Sequence, residues 1–476
     1  MTAPDVEPWQ FQRVELALGA QPSEPFPTWW DFTSRVKNVI LARRGRASEF
    51  DTTQPATLTL TLDNSDHALT PGNVTSTYYP NVDVAIQCRV RETVGAKTFA
   101  VFRGYLEQPD ISDWAECGDQ EITLSFVDRL TWLANGRKFI STLAEHILYN
   151  GGSNLVAYWP LGDAQGPNAY PWDATTQVPL IQTVAVSADA DRVVTPEQIA
   201  FAGGDTTPGD DLKSVRFTPR VSTATGAVAA TSVHLSGTLN PTITVSSGQT
   251  LTVTVWIKPG TLDYAHEPFR LDASGTGGYL YVARNVYSGG NNWILRASSG
   301  GGWTASVDGP STGFTPEGHT GIWQLITAQI TLGANPTLWM GTERLTGTTA
   351  GSTPGSITFD TARVGYFTGA DICHVQVYVG SSAMSYTTHG AQRDMGFLGL
   401  NGQLTGARIR TLAGYAGVPS GELLVDDGVS LMRMATLAGK RPLEAMRVAE
   451  ETEQGVLLAD GAGRLVFADR VHRYNL

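Results

Sequence analysis

Residues 154–164, NLVAYWPLGDA, and residues 362–385, ARVGYFTGADICHVQVYVGSSAMS, bracket the stretch that decides the fold. Between them lie LTVTVWIKPG (251–260), GGYLYVARN (277–285), NNWILRASS (291–299) and GIWQLITAQITL (321–332). Each alternates apolar with polar residues, the period of two that gives a strand one buried and one open face. Gly, Asn, Asp and Pro punctuate them as turns, and no helical period interrupts the run. Many short strands of this kind imply an antiparallel sandwich or barrel. The least regular part, between Tyr170 and Thr250, reads as a loop (203–217) followed by an edge hairpin (220–245).

Three elements of this stretch carry a family resemblance. Tyr158-Trp159-Pro160-Leu161, Val255-Trp256-Ile257-Lys258-Pro259, and Gly365-Tyr366-Phe367 followed by Val375-Gln376-Val377-Tyr378 resemble the laminin-G or concanavalin A-like lectin jelly roll. The resemblance covers about half the chain and implies a carbohydrate-binding sandwich. Members of that family often carry an acidic pair just before the final strand. Here Asp371-Ile372-Cys373-His374 stands in its place, so no metal site carries over there; the resemblance leaves Ca2+ to Asp163 and Asp173, in the loop after YWPLGDA.

Working outward, residues 36–46, 56–64, 82–92, 97–108 and 120–128 again alternate or are rich in β-branched residues, enough for a small barrel. RGRASEFDTTQPATLTLTLDN, LTPGN, YYPNVDVAIQCRV and FRGYLEQPD in this region resemble the opening domain of minor tail, or tail-tip hub, proteins of long-tailed actinobacterial phages. That resemblance implies a ring-building β-domain at the distal end of a virion tail. It implies as partners a distal tail protein, a tape measure and further tip proteins, and a homo-trimer. Hub proteins usually continue into further β-structure where this sequence ends, which implies either a separate polypeptide or a truncation.

After Asp128 the period changes. Leu130 and Leu133, then Ile140, Leu143, Ile147 and Leu148, recur at helical spacing, with Ser141 and Thr142 near a helix start. Asn150-Gly151-Gly152-Ser153 breaks the helix. Beyond Tyr386 the helical period returns in TGARIRTLAGYAG and RPLEAMRVAEET, and GVLLADGAGRLVFADR reads as a hairpin around Asp460-Gly461-Ala462-Gly463. The fold class expected is mainly β: a hub-type β-barrel or sandwich over 1–150, an inserted antiparallel jelly roll over 151–388, and an α+β continuation of the hub over 389–476. Insertion at a surface loop is cheap because closure entropy grows slowly with loop length.

Composition excludes several function classes. Charged residues are 16% and the formal net charge is −12, so a surface that neutralises nucleic-acid phosphates is not expected. The three cysteines, Cys88, Cys117 and Cys373, show neither zinc spacing nor a disulfide framework. No apolar run reaches the ~18 residues a membrane span needs, and the N-terminus lacks a signal-peptide core. The expected location is the virion tail tip, reached from the host cytoplasm without a signal peptide.

No catalytic signature is present: nucleophile elbows, zincin helices, P-loops and dinucleotide fingerprints are missing in their required contexts. No enzyme is expected and no metal is assigned. Glycan contact is the better candidate, since sugar rings stack their apolar faces on aromatic rings while polar neighbours fix the hydroxyls. Candidate carbohydrate-binding residues are Tyr281, Tyr287, Trp293, Trp303, Asn292 and Arg296, with host cell-wall polysaccharide as ligand. A free extracellular carbohydrate-binding protein or glycoside-hydrolase accessory module, and a jelly roll serving only as spacer, stay open as alternatives.

Overall fold

The strand Thr250–Pro259 shows what the period of two becomes in three dimensions. Leu251, Val253, Val255 and Ile257 join one core cluster, whereas Trp256 on the opposite face joins another. A computed structural model describes residues 12–21, 24, 26–42, 45, 51–70, 72–82, 86–110, 120–163, 168–169, 179–184, 198–218, 233–260, 266–285, 292–308, 321–366, 369–381 and 384–474. The chain is mainly β and divides into two units, one formed by residues 1–139 and 400–476, the other by residues 140–399.

The second unit is a two-sheet sandwich. One sheet has nine strands, in the order Thr348–Ala350, Thr304–Asp308, Asn292–Ser298, Gly278–Asn285, His266–Ala273, Ser356–Tyr366, Val233–Ser246, Leu180–Val184 and Asn168–Ala169. The other runs from Gln198–Ala200 through Val215–Thr218, Ala370–Gly380, Thr250–Pro259, Gln324–Thr331 and Thr337–Met340 to Glu343–Thr346, with Leu155–Trp159 also paired to Ala370–Gly380. All these pairings are antiparallel, and the inward residues of both sheets form one cluster that includes Trp159, Phe269, Trp293, Trp303 and Phe359. Each large apolar side chain removed from water there contributes roughly 1.5–3 kcal/mol. Of the segment 220–245 expected as an edge hairpin, residues 220–232 lie outside the described set; the described part, within Val233–Ser246, is one long strand held between Leu180–Val184 and Ser356–Tyr366 and so is not at the sheet's edge.

The eight-stranded sheet is buried on both faces. Its outer side carries the helices Thr142–Gly151 and Tyr386–Leu398, through a cluster of Leu143, Ala144, Ile147, Tyr158, Trp256, Trp323, Leu325 and Cys373, with Met395 and Phe397 against it. Ser141 caps the first helix by accepting from the Ala144 amide, and Ser385 caps the second by accepting from Thr388. Both helices therefore belong to the sandwich unit. The boundaries fall at 139/140 and 399/400, instead of the 150/151 expected from the breaker residues and the 388/389 expected from the return of the helical period. The apolar helix faces, not the glycines that follow, place these segments.

In the first unit seven antiparallel strands run in the order Trp30–Asp31, Gln12–Leu18, Ile86–Val94, Lys97–Asp110, Glu121–Val127, Thr57–Asp63 and Val36–Ala42. The two outermost strands are consecutive in sequence, joined by the single turn Thr33–Arg35. The five steps from Asp31 to Val36 span no more than about 18 Å, so the sheet curls until its edges approach, around Leu16, Leu60, Phe102, Leu124 and Phe126. The helix Arg129–Asn135 follows, capped by Asp128, whose carboxylate accepts from Leu130 and Thr131. The C-terminal segment supplies the helices Thr405–Tyr415 and Pro442–Glu453 and a three-stranded sheet, Leu423–Val425, Leu465–Ala468 and Val456–Ala459. It joins the N-terminal segment by backbone bonds in both directions: Phe139 donates to the Lys440 carbonyl at 2.8 Å, and Gly439 donates to that of Phe139 at 2.9 Å.

Candidate functional site

The strand Gly278–Asn285 turns Leu280 and Val282 into the sandwich and leaves Tyr279 and Tyr281 on the outer face of the nine-stranded sheet. Register then builds a patch around them. Tyr281 lies opposite Arg270 on one neighbouring strand and Arg296 on the other, while Tyr279 lies opposite Asp272 and Ser298. The two tyrosine rings are stacked, centroids 5.5 Å apart at 29°. The Arg270 guanidinium sits 5.3 Å from the Tyr279 centroid and 5.4 Å from that of Tyr281.

Carboxylates hold that guanidinium in place. Arg270 Nε donates to Asp272 Oδ1 at 2.6 Å and its Nη1 to Glu267 Oε1 at 3.3 Å, and Arg363 Nε lies 3.0 Å from Asp272 Oδ2. Burial works against the Arg270 charge, but the Asp272 hydrogen bond and the Glu267 charge outweigh it and hold its pKa above the usual value. Burial raises Glu267 despite Arg270 beside it, and raises the Tyr281 phenol, with Tyr279 and Glu267 adding to the effect. The network is formed without a ligand: two aromatic rings, the guanidinium groups of Arg270, Arg296 and Arg363, and the carboxylates of Asp272, Glu267 and Asp308 on one sheet surface.

Of the residues predicted from sequence, Tyr281 and Arg296 are brought together as cross-strand neighbours on this face. Arg296 also bonds Asp308 Oδ1 at 2.5 Å and the Val307 carbonyl at 3.2 Å. Trp293 and Trp303 are not ligand contacts. They share a strand face with Leu295 and Ala297, and with Ala305 and Val307, and are 0% and 1% exposed within the sandwich core. Asn292 opens its strand opposite Asn285; its side chain, and the whole of Tyr287, fall outside the described residues, as does Asp173. Sequence reasoning did not find Arg270, Asp272, Glu267 and Arg363; the Arg-x-Asp alternation in FRLDA was the available signal.

A second constellation looks catalytic by type. His374, at φ +50°, accepts or donates at 2.8 Å to the Tyr158 hydroxyl through Nδ1 and lies 2.9 Å from Asp210 Oδ2 through Nε2. Asp210 Oδ1 in turn accepts from the Leu143 amide at 2.9 Å. The His374 and Asp210 side chains are fully buried, as is Tyr158, so no substrate reaches them. The triad is a strut that pins the 207–210 loop and the start of the helix Thr142–Gly151 to the sheet. Among the described residues no group of three or more His, Cys, Asp or Glu side chains is placed to hold a metal ion. Among them, too, no helix is long and apolar enough to cross a membrane.

No family model matches the sequence, and no curated protein is similar to it. Among solved structures, the chain is similar to domain 4 of an extracellular arabinanase from Geobacillus stearothermophilus, solved with arabinotriose, at 14% identity over 50% of this chain and 98% of that one, with a TM-score of 0.34. It is also similar to the receptor-binding domain of a botulinum neurotoxin C/D mosaic, at 11% identity over 56% of this chain and 55% of that one, with a TM-score of 0.34. A third is the botulinum neurotoxin serotype D ligand-binding domain with N-acetylneuraminic acid, at 11% identity over 56% and 54%, with a TM-score of 0.31. The chain thus spans about half the length of the toxin domains it matches. Likeness at this level identifies no ligand for this chain, whose sandwich is read from its own strand pairing.

Proposed function

We propose that the sandwich unit binds glycan through the outer face of its nine-stranded sheet, without catalysing hydrolysis. The chain would be a structural minor tail protein at a phage tail tip. The observation that carries the binding reading is the Tyr279–Tyr281 pair stacked beside Arg270. Paired aromatic rings offer a pyranose ring an apolar platform, and the anchored Arg270, Arg296 and Arg363 offer donors to its hydroxyls or to an acidic sugar substituent. Groups already held by Asp272, Glu267 and Asp308 lose little side-chain entropy on binding, which favours affinity.

A single shallow face of this kind binds weakly. Trimeric display at a tail tip, implied by the hub-like motifs between residues 44 and 110, would multiply it by avidity on a cell-wall polysaccharide. The curled seven-stranded sheet would serve as the scaffold that assembles with a distal tail protein, tape measure and other tip components.

The test is retention of the full chain on insoluble actinobacterial cell-wall polysaccharide, beside a Tyr279→Ala, Tyr281→Ala double variant, with released reducing sugar assayed in parallel. Retention of the parent and loss in the variant is expected, with no sugar released. Equal retention of both sinks the assigned face, and sugar release sinks the non-catalytic reading. Mass spectrometry of purified virions tests the tail role: a virion lacking this chain leaves a free carbohydrate-binding protein in its place.

A further inference from the structure

The C-terminal part of the first unit holds a pocket of about 380 Å³ between the helices Thr405–Tyr415 and Pro442–Glu453 and the extended segment 431–437. Three cations line it, Arg408, Arg433 and Lys440, and no Asp or Glu does. Arg408 is 3% exposed. Its guanidinium donates through Nε to Gln403 Oε1 at 2.9 Å and through Nη2 to the carbonyls of Leu400 at 2.5 Å and Arg433 at 2.8 Å. All three acceptors are neutral.

Other arginines of this unit show the contrast. Arg129 has Glu422, Arg89 has Glu15 and Arg447 has Glu450. Among the described residues, none of Arg408, Arg433 and Lys440 has a carboxylate within ion-pair distance, in a chain whose formal net charge is −12. Burial without a counter-charge lowers the Arg408 pKa to about 10. A buried cation without a counter-ion is costly, so the pocket has a standing deficit of negative charge. Its remaining wall is apolar and partly open: Leu431 is 70% and Val448 44% exposed, with Leu412 beneath.

We propose that this pocket docks an acidic segment of a partner protein, its carboxylate facing Arg433 and Lys440 above Arg408 and an adjacent aliphatic side chain resting on Leu412, Leu431 and Val448. Charge complementarity selects the occupant. The cations reject a basic or neutral apolar peptide, and the apolar wall gives a peptide an advantage over a bare anion. The proposal is independent of glycan binding by the other unit.

The test is fluorescence anisotropy of the full chain with a capped, fluorescein-labelled peptide of alternating Glu and Leu. Companion peptides replace Glu by Gln or Leu by Ser, and inorganic phosphate is added as competitor. The Glu/Leu peptide is expected to bind, and either companion to bind about tenfold more weakly, the equivalent of one lost favourable contact. Arg433→Glu with Lys440→Glu should weaken it at least as much, with circular dichroism unchanged and melting not lowered, because Arg433 is exposed, Lys440 is partly exposed and the new carboxylates face the unpaired Arg408 charge. Leu431→Asn should weaken it without altering the charge. Absence of binding overturns the proposal, as does equal binding of the Gln/Leu peptide. Equal binding of the Glu/Ser peptide, displaced by phosphate, overturns it in favour of a small-anion site.

Discussion

Arg129, fully buried, donates through Nη2 to Oε2 of Glu422, 293 residues further along the chain. The other carboxylate oxygen of Glu422 lies 2.9 Å from Arg103 Nη1, and Arg129 Nε reaches the Gly463 carbonyl at 3.3 Å. One acidic side chain from the C-terminal segment thus neutralises two cations from the N-terminal segment within the first unit. Removing one partner of a buried pair leaves the other charge stranded, at about 3–5 kcal/mol. Glu422→Gln should therefore lower the unfolding free energy of this unit by that order, read as a lower denaturant midpoint. The second unit's transition, followed in the same full-chain denaturation, should not move. An unfolding free energy within ~0.5 kcal/mol of the parent's would show that the pair contributes nothing net.

The buried Asp210–His374 pair should make the sandwich acid-sensitive. Burial raises the Asp210 pKa, but the His374 hydrogen bond and charge, with the Leu143 amide and Ser141, outweigh it and hold it below the ordinary value. A carboxyl depressed in the folded state contributes stability fully present above its unfolded pKa of about 3.9 and lost as pH falls through the folded value. Asp210→Asn should destabilise the sandwich at pH 7 and flatten its stability profile below pH ~4. The check is urea unfolding of the full chain at a series of pH values. An unchanged acid slope in the variant would remove Asp210 as the cause.

What was legible in the sequence, and what was not, follows from the range of the interaction concerned. The helix Thr142–Gly151 was readable because Leu143, Ile147 and the Ser141 cap are local signals. Which unit it packs on was not readable, because that depends on Trp256 and Trp323, more than 100 residues away. Trp293 and Trp303 were assigned by residue type, whereas the parity set by Leu295-x-Ala297 and Ala305-x-Val307 turns both inward. The Arg270–Tyr281–Arg296 row requires inter-strand register, which a single sequence does not carry.

Gly396 tests the packing of the helix Tyr386–Leu398 on the sheet. A Cβ there would stand 2.2 Å from Cζ2 of Trp256, a ring held between the sheet and Phe397, whose ring centroid lies 5.5 Å away. Alanine is favoured over glycine in a helix by up to about 1 kcal/mol, but overpacking costs about 1–3 kcal/mol. Gly396→Ala is therefore expected to be net destabilising, with a changed Trp fluorescence in the native state. A more stable variant would mean that the helix shifts freely and is not locked by Trp256.

The two aromatic classes of the nine-stranded sheet separate stability from binding. Trp293 is wholly buried among core side chains, so Trp293→Ala opens a cavity and should cost about 3–5 kcal/mol. Protein that still folds should bind glycan as before, because the outer face is untouched. Tyr281 is half-buried on that outer face, stacked on Tyr279 and opposite Arg270 and Arg296. Tyr281→Ala should cost only about 1 kcal/mol of stability, the scale of one aromatic pairing, while abolishing retention on polysaccharide. Melting and retention measured on the same two preparations give the comparison. If Trp293→Ala lost retention while Tyr281→Ala kept it, the ligand would lie away from the outer face, and the stacked tyrosines would be only a cover for the Arg270 charge.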